Sequence, residues 1–232
     1  MAPRDWTRHP PALTPGYFSS VRRAPRAGLI ALDPTEAELT GPVFGAGDIG
    51  PLDGDLIRNA ARPGQMALGP RILVQGRVLD EAGRGVAGAL LEIWQANAGG
   101  RYRHARDGYL APLDPDFAGC GRVRTDEGGA YRFETVMPGA YPFPNGPNAW
   151  RPAHIHFSVF GHAFVQRLVT QMYFEGDPMI RHCPIAQTLP SVEAVEALTA
   201  RYDPHNDRPM DMRAFQFDIV LRGRRATPVE GT

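Results

Sequence analysis

The chain of 232 residues carries 25 basic and 25 acidic side chains, every basic one an arginine, so its formal net charge is zero. This balance argues against a protein that binds nucleic acid by bulk charge, because such domains usually carry a basic excess. Hydrophobic residues form 43% of the chain and charged residues 22%. These fractions are typical of a globular protein and exclude an intrinsically disordered one.

Glycine and proline are abundant, with 26 and 23 residues, about a fifth of the chain against the usual ~12%. Turns must therefore be frequent, and long helices are not expected. The two cysteines, Cys120 and Cys183, form no zinc-binding spacing, and so few thiols suit a reducing compartment. With no apolar leader and no apolar run of about 18 residues, the sequence predicts a soluble, cytoplasmic protein.

The first 70 residues show no sustained periodicity. Three prolines fall within RHPPALTPGYF, and the only helix that the pattern predicts, within 19–30, is interrupted by Pro25. A segment of this length without its own secondary structure is unusual inside a compact domain. We therefore predict an N-terminal arm over 1–70, which lies on the body of the protein or across a partner subunit.

From residue 71 the apolar side chains alternate with period two, the pattern of half-buried strands. Seven strands are predicted, at 71–79, 89–96, 121–125, 130–136, 154–160, 167–174 and 214–221. The turn DEGG joins two of them as a hairpin. A helix is predicted over 191–202, with Ser191 as its N-cap. The prediction is an all-β protein, an antiparallel β-sandwich over 71–232 with few short helices.

Two histidines stand out within the strand at 154–160. His154 and His156 are two residues apart, so their imidazoles face the same side of the sheet and could give one metal two nitrogen ligands. Tyr102 and Tyr141 are candidate oxygen ligands, since a trivalent cation favours the phenolate over a phenol of ordinary pKa ~10. The residues alone leave a second interpretation open, in which the histidines are structural and the tyrosines pack on loops.

Three sequence blocks bear on this choice: WQANAGGRY, GAYPFPNGPNAWRPAHIHF and TQMYFEGDP. They resemble the signature blocks of the intradiol ring-cleaving dioxygenases. The segments HPPALTPGY, RDGYLAPLDPDF and FDIVLRGRR also resemble members of that family, so that the similarity covers nearly the whole chain. It is closest to the iron-bearing β chain of the two-chain members.

The resemblance implies a site and a cofactor. Tyr102, Tyr141, His154 and His156 would bind one non-haem Fe(III) per chain. Tyr102 is preferred to Tyr109 because it follows the Trp-Gln-Ala-Asn block through a glycine pair. The implied catalytic residues are Tyr141, Arg151 and Gln171, and the implied substrate-binding residues are Tyr17, Trp94, Phe143 and Arg151. Phe143 departs from close relatives, which often carry tryptophan there.

The resemblance also implies an activity and a partner. The expected reaction is O2-dependent cleavage of protocatechuate to 3-carboxy-cis,cis-muconate, in the β-ketoadipate pathway of aromatic catabolism. The expected assembly is a hetero-oligomer with a related α chain that lacks the iron ligands.

Two alternatives stay open at this point. One is a dioxygenase for catechol or hydroxyquinol, which the proline-rich start disfavours because those enzymes begin with a helical dimerisation region. The other is a non-catalytic module, since GRVLDEAGRGVAGALLEIWQA resembles transthyretin-like β-sandwiches.

Overall fold

The computed structural model describes residues 6–28, 49–160 and 167–230. These ranges contain eleven strands: β1 Arg71–Leu79, β2 Leu90–Gln95, β3 Cys120–Arg124, β4 Ala130–Val136, β5 Tyr141–Pro142, β6 Trp150–Arg151, β7 His154–Phe160, β8 Arg167–Phe174, β9 Thr199–Tyr202, β10 Met212–Gln216 and β11 Ile219–Val220. They also contain two short α-helices, α1 Phe18–Arg23 and α2 Val192–Glu196, and 3-10 turns at Trp6–Arg8, Ile180–His182 and Ala186–Thr188. No helix in these ranges is long and apolar enough to cross a membrane.

The alternation located most strands correctly. The predicted strands at 71–79, 130–136, 154–160 and 167–174 coincide with β1, β4, β7 and β8. The predicted strand at 89–96 is one residue longer than β2 at each end, and that at 121–125 is displaced by one residue from β3. The predicted strand at 214–221 is divided into β10 and β11. The division arises because the Arg77 backbone N–H donates to the Asp218 carboxylate at 2.9 Å, so a side chain replaces a backbone acceptor at that point.

The predicted helix over 191–202 is wrong in its second half. Ser191 is the N-cap, since its Oγ accepts from the Ala194 N–H at 3.2 Å. The helix ends at Glu196, and Thr199–Tyr202 forms β9. The Leu198 carbonyl accepts from the Tyr173 N–H at 2.7 Å. Pairing with the sheet therefore overrides the weak local helix preference of a short segment.

The sheet topology differs from the prediction. The all-β class is confirmed. The strand order β11-β1-β10-β9-β8-β7-β2-β3, with β4 on β1, makes a nearly closed, barrel-like mixed sheet, which is not clearly an antiparallel sandwich. The pairs β1 with β10, β1 with β11 and β8 with β9 are parallel. Alternation shows which face a side chain occupies and not which strand is its neighbour, so it could not reveal the parallel pairs.

Residues 53–56, within the predicted arm, bridge the gap between β3 and β4. The Asp53 carbonyl accepts from Arg122 N at 3.0 Å, and on the other side Leu56 N donates to Glu134 O at 2.9 Å. Leu56 and Ile57 are fully buried in the main hydrophobic core. This part of the arm therefore packs on the body. The division at residue 70 stays a prediction, and residues 29–48 lie outside the described ranges.

The main core lies on one face of the strands that carry the site. Along β7, Ile155, Phe157 and Val159 point into the core with β1, β2 and β8. Because side chains alternate, His154 and His156 must lie on the opposite face. Tight core packing on one side thus holds the two histidines in place on the other.

Tyr131 provides a test of the fold at the break between β10 and β11. Its buried hydroxyl donates to the Phe217 carbonyl at 2.6 Å. We expect Tyr131→Phe to lower the free energy of unfolding by about 1–2 kcal/mol, because the substitution leaves a buried acceptor without its donor. Urea denaturation measures the change. The control is Tyr202→Phe, whose hydroxyl is on the surface, and an equal loss in both variants would contradict the prediction.

Candidate metal centre

The two histidines of β7 lie between neighbouring strands. His156 is opposite Trp94 of β2 and Gln171 of β8, and His154 is opposite Tyr173 of β8. Both histidines are buried. The Trp94 and His156 rings stack at 4.9 Å with an angle of 3° between their planes. The sheet therefore fixes both imidazoles from either side.

Each imidazole has an acceptor at its Nδ1 atom. His154 Nδ1 is 2.7 Å from the Pro152 carbonyl, and His156 Nδ1 is 2.9 Å from a carboxylate oxygen of Glu230. Because both partners accept only, each Nδ1 carries the proton. Each Nε2 is then left with a free lone pair, which is the form of histidine that binds a metal.

Two loops with close backbone contact carry the tyrosines. The Asn97 carbonyl accepts from the N–H groups of both Gly100 and Gly139. Gly100 has a φ of +84°, and a Cβ atom there would lie 2.2 Å from the Ala140 carbonyl oxygen. Only glycine fits this position. The loop contact brings Tyr102 and Tyr141 together, with their rings perpendicular at 5.5 Å.

The four predicted ligands converge. Tyr102 Oη lies 3.2 Å from His156 Nε2 and 3.5 Å from His154 Nε2, and Tyr141 Oη lies 3.2 Å from His154 Nε2. Tyr109, the alternative at the sequence level, instead packs edge-to-face against Trp150 on the cleft wall. The chain thus presents two phenol oxygens and two imidazole nitrogens to one point.

Burial disfavours the charged forms of Tyr102, Tyr141 and His154. Burial raises the pKa of Tyr102 well above its ordinary value, and it also raises the pKa of Tyr141, an effect that Arg151 partly offsets. Burial lowers the pKa of His154, with a further contribution from Arg151. Within the described ranges, no group of three or more His, Cys, Asp and Glu side chains could hold a metal. The oxygen atoms that face the two imidazole Nε2 atoms belong to the phenols of Tyr102 and Tyr141.

Arg151 is a buried cation beside the cluster. It is 2% exposed and lies opposite Tyr141 in the β5–β6 pair. Burial opposes its charge, but the neighbouring Tyr173, Cys183 and Tyr141 raise its pKa, so the guanidinium stays charged. Its Nη2 donates to the side-chain oxygen of Gln171. Gln171 is thus placed to orient Arg151.

A cleft of about 1020 Å³ opens onto the cluster. Five of the predicted site residues line it: Trp94, Tyr102, Tyr141, Phe143 and His156. His154, Arg151, Gln171 and Tyr17 lie behind its wall. Tyr17 is buried, its ring packs 6.2 Å from that of Phe143, and its hydroxyl accepts from Arg23 at 2.9 Å.

Sequence reasoning missed two acidic residues that shape the site. Glu230 contacts His156, and Asp107 accepts from the backbone N–H groups of Tyr102 and Tyr109 at 2.7 and 2.8 Å. Asp107 has a local signal, since it lies five residues after Tyr102 and aspartate often caps turns. Glu230 has none, because it follows His156 by 74 residues.

The fold and the cluster can now be compared with known proteins. Residues 39–223 match the family described as "Dioxygenase", and residues 2–35 match the one described as "Protocatechuate 3,4-dioxygenase beta subunit N terminal". The chain belongs to the intradiol dioxygenase family. This membership favours an enzyme over the non-catalytic module that the strand pattern left open.

One relative is similar to this chain over nearly its full length, and another over about half of it. The chain is 52% identical over 230 residues to the protocatechuate 3,4-dioxygenase beta chain of Burkholderia cepacia, which covers 99% of this chain and 97% of the relative. It is 38% identical over 124 residues to hydroxyquinol 1,2-dioxygenase of Rhizobium sp. (strain MTP-10005), which covers 49% of this chain and 40% of that protein.

Among solved structures, 3-chlorocatechol 1,2-dioxygenase from Rhodococcus opacus 1CP has a TM-score of 0.56 at 26% identity, with 78% of this chain and 70% of that chain covered. Hydroxyquinol 1,2-dioxygenase from Pseudomonas putida DLL-E4 has a TM-score of 0.54 at 27% identity, with 86% of this chain and 69% of that chain covered. These TM-scores show that this chain shares the fold of the two enzymes.

The contact between the two tyrosine loops can be tested through Gly100. We expect Gly100→Ala to lower the free energy of unfolding by about 2 kcal/mol or more, because alanine disfavours a positive φ and its methyl group meets the Ala140 carbonyl. Bound metal should fall as the tyrosines separate. Thermal unfolding and metal analysis measure both effects. Gly108→Ala, in the same region with open space around its Cβ position, is the matched control, and identical behaviour of the two variants would refute the argument.

Proposed function

We propose that this chain catalyses intradiol cleavage of protocatechuate by O2 to 3-carboxy-cis,cis-muconate, a step of aromatic catabolism in the β-ketoadipate pathway. The full-length similarity to a protocatechuate 3,4-dioxygenase beta chain supports the choice of substrate. The observation that carries the proposal is the convergence of two phenol oxygens on two imidazole Nε2 atoms within 3.2–3.5 Å.

The donor set fits a non-haem ferric ion, one per chain. Both Nε2 atoms have free lone pairs, and hard phenolate oxygens suit a hard trivalent cation. Tyr102, Tyr141, His154 and His156 would hold the ion. When bound, it would supply Lewis acidity, which favours the phenolate over the phenol and the catecholate over the catechol.

The two tyrosines have different roles in this proposal. Tyr102 stays in place, because its hydroxyl contacts both imidazoles and its backbone is held by Asp107. Tyr141 acts as the base that accepts a proton from a substrate hydroxyl at its Oη. This assignment is supported by its single imidazole contact and by its place on the two-residue strand β5 at the cleft wall.

Arg151 stabilises the negative charge of the deprotonated substrate ring. A buried guanidinium interacts strongly with a nearby anion, because little water screens the charge. Gln171 holds its Nη2, and the Phe143 ring lies 5.6 Å from its guanidinium carbon. Trp94 and Phe143 form walls of the substrate pocket, and Tyr17 backs Phe143 on the side where the substrate carboxylate is expected.

An α-type chain is the proposed partner. The N-terminal segment near the cleft exposes the apolar side chains Leu13, Phe18 and Val21, and Asn145 of the cleft loop bonds to Gly16 and Phe18. A chain that covers these side chains would reach the cleft. The proposed compartment is the cytoplasm, since Cys120 and Cys183 are both free thiols.

The activity can be tested by oxygen uptake with protocatechuate, catechol and hydroxyquinol, with and without a co-expressed α-type chain. We expect the fastest uptake with protocatechuate and no need for an external reductant. The protein should be wine-red, and removal of iron should abolish both the colour and the uptake. Faster cleavage of catechol or hydroxyquinol would favour the alternative substrates, and a colourless, iron-free preparation with full activity would refute the proposal.

The roles of the ligands can be separated by substitution. We expect Tyr141→Phe to retain most of the iron but to lower kcat/KM by about 10²-fold, because it removes a base and leaves three donors. His156→Ala should lose the iron. Metal analysis and stopped-flow substrate binding distinguish the two effects, with Tyr202→Phe on the surface as the control. Full iron content and full turnover in both site variants would show that these roles are wrong.

A further inference from the structure

The C-terminal tail, residues 226–230, returns to the sheet after β11. Thr227 N donates to the Val220 carbonyl at 2.9 Å, and Thr170 Oγ1 of β8 donates to the Pro228 carbonyl at 2.6 Å. Glu230 N then donates to the Val169 carbonyl at 2.8 Å. Three hydrogen bonds, to the backbone of Thr227, Pro228 and Glu230, therefore attach the tail to the sheet.

The N-terminal segment holds the tail from the other side. The backbone N–H of Val229 donates to Nδ1 of the buried His9 at 3.1 Å. The guanidinium of Arg8 also donates to the Arg224 carbonyl. Residues 8–9 thus contact the segment 224–229, and the last described residue has a defined position.

That position places a carboxylate against one of the two histidines. Glu230 Oε2 lies 2.9 Å from His156 Nδ1, whereas the equivalent atom of His154 faces the neutral Pro152 carbonyl. The exposed fractions of the two side chains are 9% for His156 and 24% for Glu230, so the contact is largely shielded. A carboxylate at Nδ1 fixes the tautomer and ring orientation of a metal-binding histidine and makes its other nitrogen a stronger donor.

We propose that Glu230 is a positioning residue for the metal ligand His156. This inference rests on the proposed function. The match to the dioxygenase family ends at residue 223, so the tail lies outside the segment that the family description covers. The two imidazoles are then unequal ligands: His156 is strengthened by a carboxylate and fixed by Trp94, and His154 depends on a backbone carbonyl.

A purely structural role for Glu230 makes a different prediction. The backbone N–H of Glu230 attaches the tail to β8 and does not depend on the side chain. A change of the side chain alone therefore separates metal positioning from tail attachment. The informative pair is Glu230→Gln, which keeps an oxygen acceptor, and Glu230→Met, which has similar length and no oxygen.

The experiment measures iron loss from the purified holoenzyme to an excess of chelator, together with the visible absorption band and the far-UV circular dichroism. We expect Glu230→Met to lose iron about 10–100-fold faster than the wild type, because removal of such a partner usually lowers metal affinity by about that factor. Glu230→Gln should restore most of the retention. Glu127→Met, at an exposed glutamate in the β3–β4 turn, should behave as the wild type does.

Each outcome decides the inference. Loss of iron from a folded Glu230→Met variant, with recovery in Glu230→Gln, supports it. Iron loss within twofold of the wild type, or an unfolded Glu230→Met variant, overturns it, because the side chain would then be dispensable or structural. If the wild-type protein binds no iron, the proposed function is wrong. The iron content of the wild type therefore distinguishes this failure from a failure of the inference about Glu230.

Discussion

Two half-buried phenols and two buried imidazoles that face one another impose the constraint on which the rest of this protein depends. The phenol oxygens of Tyr102 and Tyr141 lie 3.2–3.5 Å from imidazole nitrogens of His154 and His156. Burial raises the pKa of both phenols and lowers that of His154. Phenol and imidazole groups can form hydrogen bonds with one another instead of binding a metal. The surrounding structure must therefore hold the four groups so that their lone pairs point to a common position.

The surroundings meet this requirement mainly through backbone contacts. The Pro152 carbonyl sets the tautomer of His154, and the close approach at Gly100 joins the loops of the two tyrosines. Asp107 holds the backbone of Tyr102. Rigid elements and their hydrogen bonds therefore orient the donors, which is the arrangement that binding a metal with defined geometry requires.

Arg151 connects the cluster to the proposed reaction. A buried guanidinium is costly to desolvate unless polar groups or anions compensate. Gln171 accepts one of its N–H bonds, while its Nε atom has no hydrogen-bond partner among the described residues. Arg151 also lies opposite Tyr141, which lines the cleft. The binding of a dianionic catecholate beside Arg151 would supply the missing compensation, so substrate binding and charge stabilisation reinforce each other.

Local pattern and tertiary structure contributed different information. The alternation of the sequence by itself determined the all-β class, the bounds of β1, β4, β7 and β8, and the common face of His154 and His156, because a period of two follows from strand geometry alone. The residues alone left Tyr102 and Tyr141 as candidate ligands, and the family resemblance favoured that role over packing on loops. Only the tertiary structure decided the mixed strand order, the replacement of the end of the predicted helix by β9, and the placement of Glu230 on His156. These features depend on which distant segments meet, and a periodic pattern specifies the face of a strand but not its neighbour.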